Sequence, residues 1–247
     1  MKRVSTTVFS LCALILMVGL SPAVAQTKPA NGFEKMSEAQ VLKLRNTGNL
    51  KGENAKNLEI KIKIDAEAEK DNATRSNQFE TQFDVRVSRD GRTVRDAKVT
   101  VHAYNGPTKT LKFDDDEYEG EVKGYHRAYR VDVVAGDQRV EGIYLAGPAI
   151  PTFTSHKNKA RVPAKSDLKL AWKADDAGAD RVRIKGEEFD WVEVGKDTSY
   201  TVAASKLDDD DDEFEIKRAN VMKLPQLAGN SSFAIEVENT LELKVKR

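Results

Sequence analysis

The sequence has a single cysteine, Cys12, and it lies upstream of Gln26. If the N-terminal segment is removed as a signal peptide, the remaining chain has no thiol. That absence excludes disulfide bridges, cysteine nucleophiles and zinc sites with cysteine ligands. We therefore expect a fold that is held by packing alone, even in an oxidising compartment where disulfides are available.

Histidine is scarce as well, with only three residues in the chain. His102 alternates outward in a predicted strand, His126 lies in a predicted loop, and His156 lies in a basic linker. No two histidines have the helical spacing of a zinc pair, no triad is marked, and no glycine-rich phosphate loop occurs. The sequence therefore predicts a non-enzymatic protein with no catalytic residue, no metal and no cofactor.

The chain has no excess of charge, with 40 Lys and Arg against 40 Asp and Glu. Lys2 and Arg3 belong to the N-terminal segment, so the chain from Gln26 keeps 38 basic residues against the same 40 acidic ones. Such a balance leaves no electrostatic footprint for nucleic acid and no polybasic membrane patch. We expect no nucleic-acid partner and no membrane span after signal removal.

The N-terminal segment has the order of a secretory signal peptide. Lys2 and Arg3 give a positive lead, residues 8–20 are apolar, and Ala23 and Ala25 supply the small residues of a cleavage site. The apolar run is shorter than the ~20 residues that span a bilayer. We predict a signal peptide at residues 1–25, cleavage after Ala25, and a periplasmic or secreted protein.

Residues 26–54 are predicted to be a leader that contains one short helix. Ser37 and Gln40 have the spacing of a capping box, in which the Gln40 side chain reaches back to the Ser37 amide. Apolar residues continue with partial helical spacing to Leu44, and Gly48 is a plausible stop. The pattern predicts about three helical turns.

From Leu58 onward the apolar period changes from helical to two residues, as in "LEIKIKID". This alternation is typical of half-buried antiparallel strands. It runs through residues 55–147, pauses in a proline-containing linker at residues 148–165, and resumes over residues 166–247. The repeated short strands, separated by polar turns, predict two tandem all-β sandwiches.

The first half resembles a bacterial immunoglobulin-like module. The pattern that carries this resemblance, Asp-Gly-x-x-Val-x-x-Ala-x-Val-x-Val, occupies Asp90, Gly91, Val94, Ala97, Val99 and Val101. The second half, from Pro148, resembles a fibronectin type III module, with an inward Trp172 and a third strand near Val182. Its corner leucine and aromatic are either Leu207 with Phe214 or Leu227 with Phe233, and phenylalanine replaces the family's tyrosine in both. The two resemblances imply an exported bacterial protein with a binding or structural role.

Two acidic runs raise the question of calcium. They are Asp208 to Asp212, five consecutive aspartates, and Asp114 to Asp116 within "FDDDEYEGE". Calcium needs six to eight convergent oxygens, whereas neighbouring side chains of an extended chain point to opposite faces. We interpret both runs as solvated strand-connecting turns, and calcium binding by either run stays open.

The two tryptophans differ in phase. Trp172 is in phase with Leu168 and Leu170, which predicts a place in the core. Trp191 is out of phase with Val192 and Val194, so one of these sets must face outward. Trp191 is therefore the candidate for an exposed binding anchor, although burial is the commoner fate of a tryptophan.

These features predict a non-catalytic exported binding or structural module that contacts an envelope protein or a surface polymer. A carbohydrate-binding accessory protein is the first alternative, and it requires exposed aromatic residues in a row. A hydrolase with an unrecognised carboxylate pair is the second, and it requires a pocket in which two acids meet and one of them is desolvated.

Overall fold

The computed structural model describes residues 33–174, 178–207 and 211–246. The predicted signal peptide lies outside the described residues. Within them the chain forms eighteen strands, one α-helix and four short 3-10 helices, so the all-β prediction is confirmed.

The strands follow one another closely along the chain. Their bounds are β1 Arg45–Lys51, β2 Leu58–Ala68, β3 Phe79–Arg89, β4 Arg92–Thr93, β5 Lys98–Ala103, β6 Thr108–Thr110, β7 Lys112–Asp114, β8 Glu117–Lys123, β9 Ala128–Ala135, β10 Gln138–Ala146, β11 Thr152–Phe153, β12 Ala160–Pro163, β13 Leu168–Lys173, β14 Arg181–Gly186, β15 Phe189–Glu193, β16 Ser199–Val202, β17 Asp211–Lys223 and β18 Ser232–Lys246. The helix, α1, covers Glu38–Val41, and the 3-10 turns are Phe33–Lys35, Ala55–Asn57, Ser76–Gln78 and Ala204–Lys206.

These strands form three sheets. A five-stranded sheet has the order β1-β10-β9-β5-β6, and a three-stranded sheet has the order β11-β13-β16. The largest sheet has ten strands, in the order β15-β14-β17-β18-β2-β3-β8-β7, with β12 paired to β18 and β4 paired to β3. Two of its pairings, β18 with β2 and β12 with β18, are parallel.

The five-stranded sheet packs on one part of the ten-stranded sheet, and the apolar residues between them form the first core. Ile62 and Phe83 of the large sheet and Val131 of the small sheet are buried members of this core. The three-stranded sheet packs on the other part and encloses the second core, which includes Leu170 and Trp172. The structure therefore has the two tandem sandwiches that the alternation predicts.

The hairpin of β17 and β18 belongs to both cores. Phe214 and Leu241 lie in the second core, whereas Phe233 and Ile235 lie in the first. Each strand of this hairpin is long enough to pass from one sandwich into the other. The boundaries 55–147, 148–165 and 166–247 stay a prediction, but residues 166–247 do not all pack within one sandwich.

Because β17 and β18 pass from one sandwich into the other, the structure also decides between the two candidate pairs of corner leucine and aromatic. Leu207 and Phe214 lie in the second core, while Leu227 and Phe233 lie in the first. Only the pair Leu207 and Phe214 can therefore serve the second sandwich.

Polar side chains seal the joint between the sandwiches. Asn239, fully buried on β18, donates through Nδ2 to the carbonyls of Ala73 and Pro151 at 2.7 Å each. Its Oδ1 accepts from the Ala73 amide at 2.9 Å. A buried amide with its donors and acceptor satisfied stabilises one arrangement, because any shift leaves polar groups unpaired.

The N-terminal helix is shorter than the sequence predicts. The capping box is present, since the Ser37 amide donates to Gln40 Oε1 at 2.9 Å, but α1 makes only one turn. The residues from Arg45 to Lys51, expected to end the helix and follow it, instead form β1 and pair with β10. Gly48 has a φ of 89°, which is outside the helical region, and asparagine, threonine and glycine are weak helix formers. Pairing with β10 is therefore favoured over continuing the helix.

Candidate functional site

The outer face of the ten-stranded sheet is a lattice of charged side chains. Because side chains alternate along a strand, the residues between the core positions of β14, β17, β18 and β2 all face away from the cores. The charged residues at the middle of this face are Arg183 and Lys185 on β14, Glu215 and Lys217 on β17, Glu236 and Glu238 on β18, and Lys63 and Asp65 on β2. Two of the directly opposed pairs carry opposite charges, Lys185 with Glu215 and Lys217 with Glu238, and such pairs stabilise a sheet. Two others, Arg183 with Lys217 and Glu236 with Asp65, carry like charges.

Lys217 is at the centre of this lattice. Its Nζ lies 2.6 Å from a Glu238 oxygen and 3.7 Å from oxygens of both Glu236 and Asp65. Desolvation lowers the pKa of Lys217, but the hydrogen bond to Glu238 and the charge of Asp65 outweigh it and hold that pKa above its ordinary value. Lys217 is therefore a fixed positive charge at neutral pH.

Trp191 lies over this charge at the edge of the sheet. The centroid of its ring is 5.2 Å from Arg183 Cζ, 5.4 Å from Lys217 Nζ and 5.9 Å from Lys185 Nζ. These distances fall within the range of cation–π attraction. We call Trp191, Arg183, Lys185 and Lys217 the aromatic–basic corner.

The pairing of β15 with β14 explains why Trp191 faces outward. Val192 pairs with Ile184, a core residue, so the position before Val192 points to the opposite face. Trp191 is half-buried by the basic side chains, and edge strand β15 carries it. Trp172 lies in the second core with 5% of its surface exposed, as the sequence predicts.

The described residues do not present a row of exposed aromatic side chains. Among residues 33–174, 178–207 and 211–246, Leu42 is the one large hydrophobic side chain classed as exposed. Phe189 and Tyr200 lie near the same edge, but they pack against each other, with ring centroids 5.7 Å apart, and against the second core. The carbohydrate alternative therefore lacks, at Trp191, the platform that it requires.

His102 contradicts its prediction, because it is buried and not outward-facing in solvent. Its Nδ1 lies 3.0 Å from Thr108 Oγ1 and its Nε2 lies 3.1 Å from Asp132 Oδ2. Arg130 Nη2 also contacts Asp132, at 2.9 Å, and the Gly142 amide donates to the same carboxylate. Neighbours on three strands cover a ring whose phase is outward.

The Thr108, His102 and Asp132 side chains stand in the order of a hydroxyl, base and carboxylate triad. Thr108, His102 and Asp132 lie on three different strands, β6, β5 and β9, so no local sequence motif could have predicted that they meet. Asp132 is held by Arg130 and Gly142 as well, so the cluster ties the short edge strand β6 to the sheet. We interpret it as a structural cross-link, and the absence of catalysis stays a prediction.

The other histidines lie in loops. His126 follows β8 and His156 follows β11, and burial lowers the pKa of both imidazoles. Within the described part of the chain, no group of three or more histidine, aspartate and glutamate side chains could hold a metal ion.

The acidic run at Asp114 is a strand-connecting turn, as predicted. Asp115 and Asp116 form the two-residue turn between β7 and β8 with φ of 35° and 73°, which aspartate tolerates.

Of the second acidic run, Asp208 to Asp210 lie outside the described residues. Asp211 and Asp212 begin β17, and Asp212 is 2% exposed, so a wholly solvated loop is wrong for this end of the run. Asp212 is in phase with Phe214, which draws it inward.

An acidic groove of 460 Å³ bears on the hydrolase alternative. It lies beside β3, β7 and β8, and Asp84, Asp114 and Glu119 line it together with Lys112. Burial and then the nearby charge of Glu117 raise the pKa of Asp84. The hydrolase alternative requires a pocket in which acids meet and one of them is desolvated. Asp84 is such an acid, but the groove lies on an open sheet face and is not an enclosed pocket.

Comparison with solved structures finds matches of low sequence identity and low TM-score. The chain is similar to fibronectin(III)-like modules of Clostridium thermocellum CbhA, with 14% identity, a TM-score of 0.27, and coverage of 76% of this chain and 94% of that one. It is also similar to a chimeric titin Z1Z2-Z1Z2 tandem, with 13% identity, a TM-score of 0.24, and coverage of 74% of this chain and 96% of that one. The tandem Ig repeats of Dlar match with 10% identity, a TM-score of 0.27, and coverage of 76% of this chain and 98% of that one.

Each TM-score is below 0.5, so the fold assignment rests on this chain's own sheets and not on those likenesses. No protein-family model and no curated protein matches the chain. In the described ranges, no helix is long and apolar enough to cross a membrane.

Proposed function

We propose that the protein is a non-catalytic, exported binding or structural module that contacts an envelope protein or a surface polymer. The aromatic–basic corner carries the proposal. Trp191 is a large aromatic at the open edge of a sheet, and Lys217 and its ion pairs hold it in place beforehand. Preorganised aromatic and basic anchors account for most of the binding free energy in many interfaces.

The hairpin that the two sandwiches share supports the same role. Since β17 and β18 run through both sandwiches, the outer face of the ten-stranded sheet is one continuous surface. A partner that docks on this face would not have to order two independent domains, which lowers the entropic cost of binding.

A pull-down from envelope extract tests the proposal, with residues 26–247 as bait. We expect the wild-type chain to capture a partner that Trp191→Ala loses about tenfold. Phe113→Ala is the matched control, because Arg95 lies 5.9 Å above the Phe113 ring at the opposite edge of the same sheet. Equal capture by wild type and Trp191→Ala would remove the corner from the interface.

Export is tested separately. We expect the protein recovered from the cell envelope or medium to begin at Gln26, because the signal is cut after Ala25. Intact mass and N-terminal sequencing measure this. A retained Met1 in the exported fraction would contradict it.

A hydrolase remains the second candidate, because of the acidic groove around Asp84. Purified chain incubated with a panel of glycosides tests it, and Asp84→Asn with Glu119→Gln is the paired variant. Hydrolysis by the wild type that the double variant loses would favour this function over the non-catalytic one.

A further inference from the structure

Strand β15 ends the ten-stranded sheet, and among the described residues it pairs with β14 alone. It covers the five residues Phe189–Glu193, a usual length for a strand. A strand at the edge of a sheet keeps one row of backbone amides and carbonyls without a partner strand, and an extended segment can add to such an edge. Because Trp191 is on this strand, the edge adjoins the aromatic–basic corner.

The hydrogen bonding next to β15 shows which peptide groups face the free edge. The Val194 amide donates to the Val182 carbonyl of β14 at 2.9 Å. In an antiparallel strand, consecutive residues direct their peptide groups alternately to one side and to the other. The amide and the carbonyl of Glu193 therefore face away from β14, toward the free edge.

The side chains of β15 divide between the two faces of the sheet. Val192 packs on the second core, and the Phe189 ring lies against Tyr200 at the same core. Glu193 is opposite Arg183, a residue of the outer face, and it is exposed. An added strand therefore meets apolar residues with one of its faces and a carboxylate with the other.

The charge along this edge is negative. Residues 187–193 contain four exposed acids and no base, namely Glu187, Glu188, Asp190 and Glu193. Arg181 pairs with Glu193 at 2.6 Å, whereas no ion pair of the described residues includes the other three acids. Lys206, whose Nζ donates to the Glu188 carbonyl at 3.0 Å, brings one positive charge near those three. The edge is therefore left with an excess of negative charge.

The basic residues of the aromatic–basic corner do not cancel this excess, because acids of β17 and β18 already pair with them. These pairs are Arg183 with Glu236 at 3.4 Å, Lys185 with Glu215 at 3.1 Å and Lys217 with Glu238 at 2.6 Å. A second copy of β15 would bring acids against acids, and charged residues on edge strands prevent such self-pairing. A basic segment has the charge that this edge attracts.

We propose that β15 accepts an extended segment of a partner protein, with alternating basic and apolar residues, as an added strand. The backbone of the segment bonds to the peptide groups of Glu193, its apolar residues lie toward Val192, and its basic residues lie toward Asp190 and Glu193. This proposal rests on the proposed contact with an envelope protein. It names the chemistry of the segment that docks beside Trp191.

Titration calorimetry with synthetic peptides on residues 26–247 tests the proposal. The probe is a heptapeptide of alternating lysine and valine with blocked termini. We expect this peptide to bind, and we expect no binding when glutamate replaces its lysines, because the edge then repels the peptide.

Methylated peptides test the backbone hydrogen bonds at constant charge. A residue directly opposite Glu193 has its side chain on the same face, so the lysines supply the amides that bond to β15. We expect methylation of the lysine backbone amides to weaken binding at least tenfold, and methylation of the valine amides, which face away from β15, to leave binding unchanged.

Glu193→Pro tests the same contact from the side of the protein. Proline removes the amide that faces the free edge, a position at which edge strands tolerate proline. We expect this variant to lose binding, and we expect Glu193→Gln, which keeps the amide, to weaken binding only about threefold. Glu53→Gln is the matched control, because Glu53 is an exposed acid in the turn after β1 and should leave binding unchanged.

Amide hydrogen exchange distinguishes an added strand from attraction between charges alone. We expect excess lysine–valine peptide to slow exchange of the Glu193 amide, measured by NMR. If Glu193→Pro does not fold, the methylated peptides and this measurement on the wild type decide. No binding of the lysine–valine peptide, equal binding of the two methylated peptides, or unchanged exchange at Glu193 would overturn the proposal.

The added strand and the proposed function fail separately. Partner capture that depends on Trp191, together with no binding of the lysine–valine peptide, would reject the added strand and leave the proposed function standing. Peptide binding without capture that depends on Trp191 would support the edge and remove the aromatic–basic corner from the interface. The absence of both results would reject both proposals.

Discussion

Asn72 and Phe153 are joined by two hydrogen bonds that link the loop after β2 to the first strand of the second sandwich. Asn72 Nδ2 donates to the Phe153 carbonyl at 3.0 Å, and the Phe153 amide donates to Asn72 Oδ1 at 2.8 Å. Asn72 has a φ of 48°, a region that asparagine tolerates better than most residues. Its side chain serves Phe153 as a neighbouring strand would, and it helps to hold the two sandwiches together.

We expect Asn72→Ala to lower the free energy of unfolding by about 2 kcal/mol, because it removes both hydrogen bonds and leaves alanine at positive φ. Asn72→Gly removes the same bonds but tolerates the backbone, so its loss should be smaller. Urea denaturation measures both variants. Wild-type stability in Asn72→Ala would show that the pair of bonds does not stabilise the joint.

The shared hairpin predicts that the two sandwiches unfold together. Ile235 and Leu241 are on the same strand but in different cores. We expect Ile235→Ala and Leu241→Ala each to cost about 3 kcal/mol and to lower the midpoint of one common transition. Scanning calorimetry checks this. Two transitions, each shifted by only one of the variants, would contradict the coupling.

The position of Trp191 predicts two distinct fluorophores. Trp172 is in the core and Trp191 is half-buried on the outer face. We expect iodide to quench part of the wild-type emission and very little of the emission of Trp191→Phe, which retains only Trp172. Unquenched wild-type emission would place Trp191 out of reach of solvent and of any partner.

The Asp132 cluster predicts an acid-dependent loss of stability. Desolvation raises the pKa of Asp132, but hydrogen bonds from His102, the Gly142 amide and Arg130 outweigh it, so the folded-state pKa lies below the ordinary value of about 3.9. Such a group stabilises the fold above its unfolded-state pKa, and the contribution disappears as the pH falls through the folded-state value.

We therefore expect Asp132→Asn to be less stable than the wild type at pH 7, with a difference that narrows as the pH falls below about 4. Denaturation at several pH values between 7 and 3 measures this. The corresponding control is Asp90→Asn, an exposed turn residue. A difference for Asp132→Asn that stays constant across the range would exclude the carboxylate charge as its cause.

Particular strands and residues show what the apolar periodicity of the sequence can and cannot predict. β2 and β3 are where the alternation places them, because in a sheet with one solvated face the sequence of apolar and polar residues records the burial directly. The alternation does not predict β1, because the residues of β1 gain their structure from β10, which lies far along the chain. It predicts His102 in solvent, and this is wrong, because the phase of a strand gives the direction of a side chain and not what covers it.

The amino-acid sequence by itself determined an all-β chain with two sandwiches and placed Trp172 inside, because a two-residue period is a local property of each strand. Only the tertiary structure decided that one hairpin completes both cores, that Lys217 and its neighbours lie beneath Trp191, and that His102 lies between Thr108 and Asp132. These relationships depend on strand order and register between distant segments, and single-strand patterns carry no information about either.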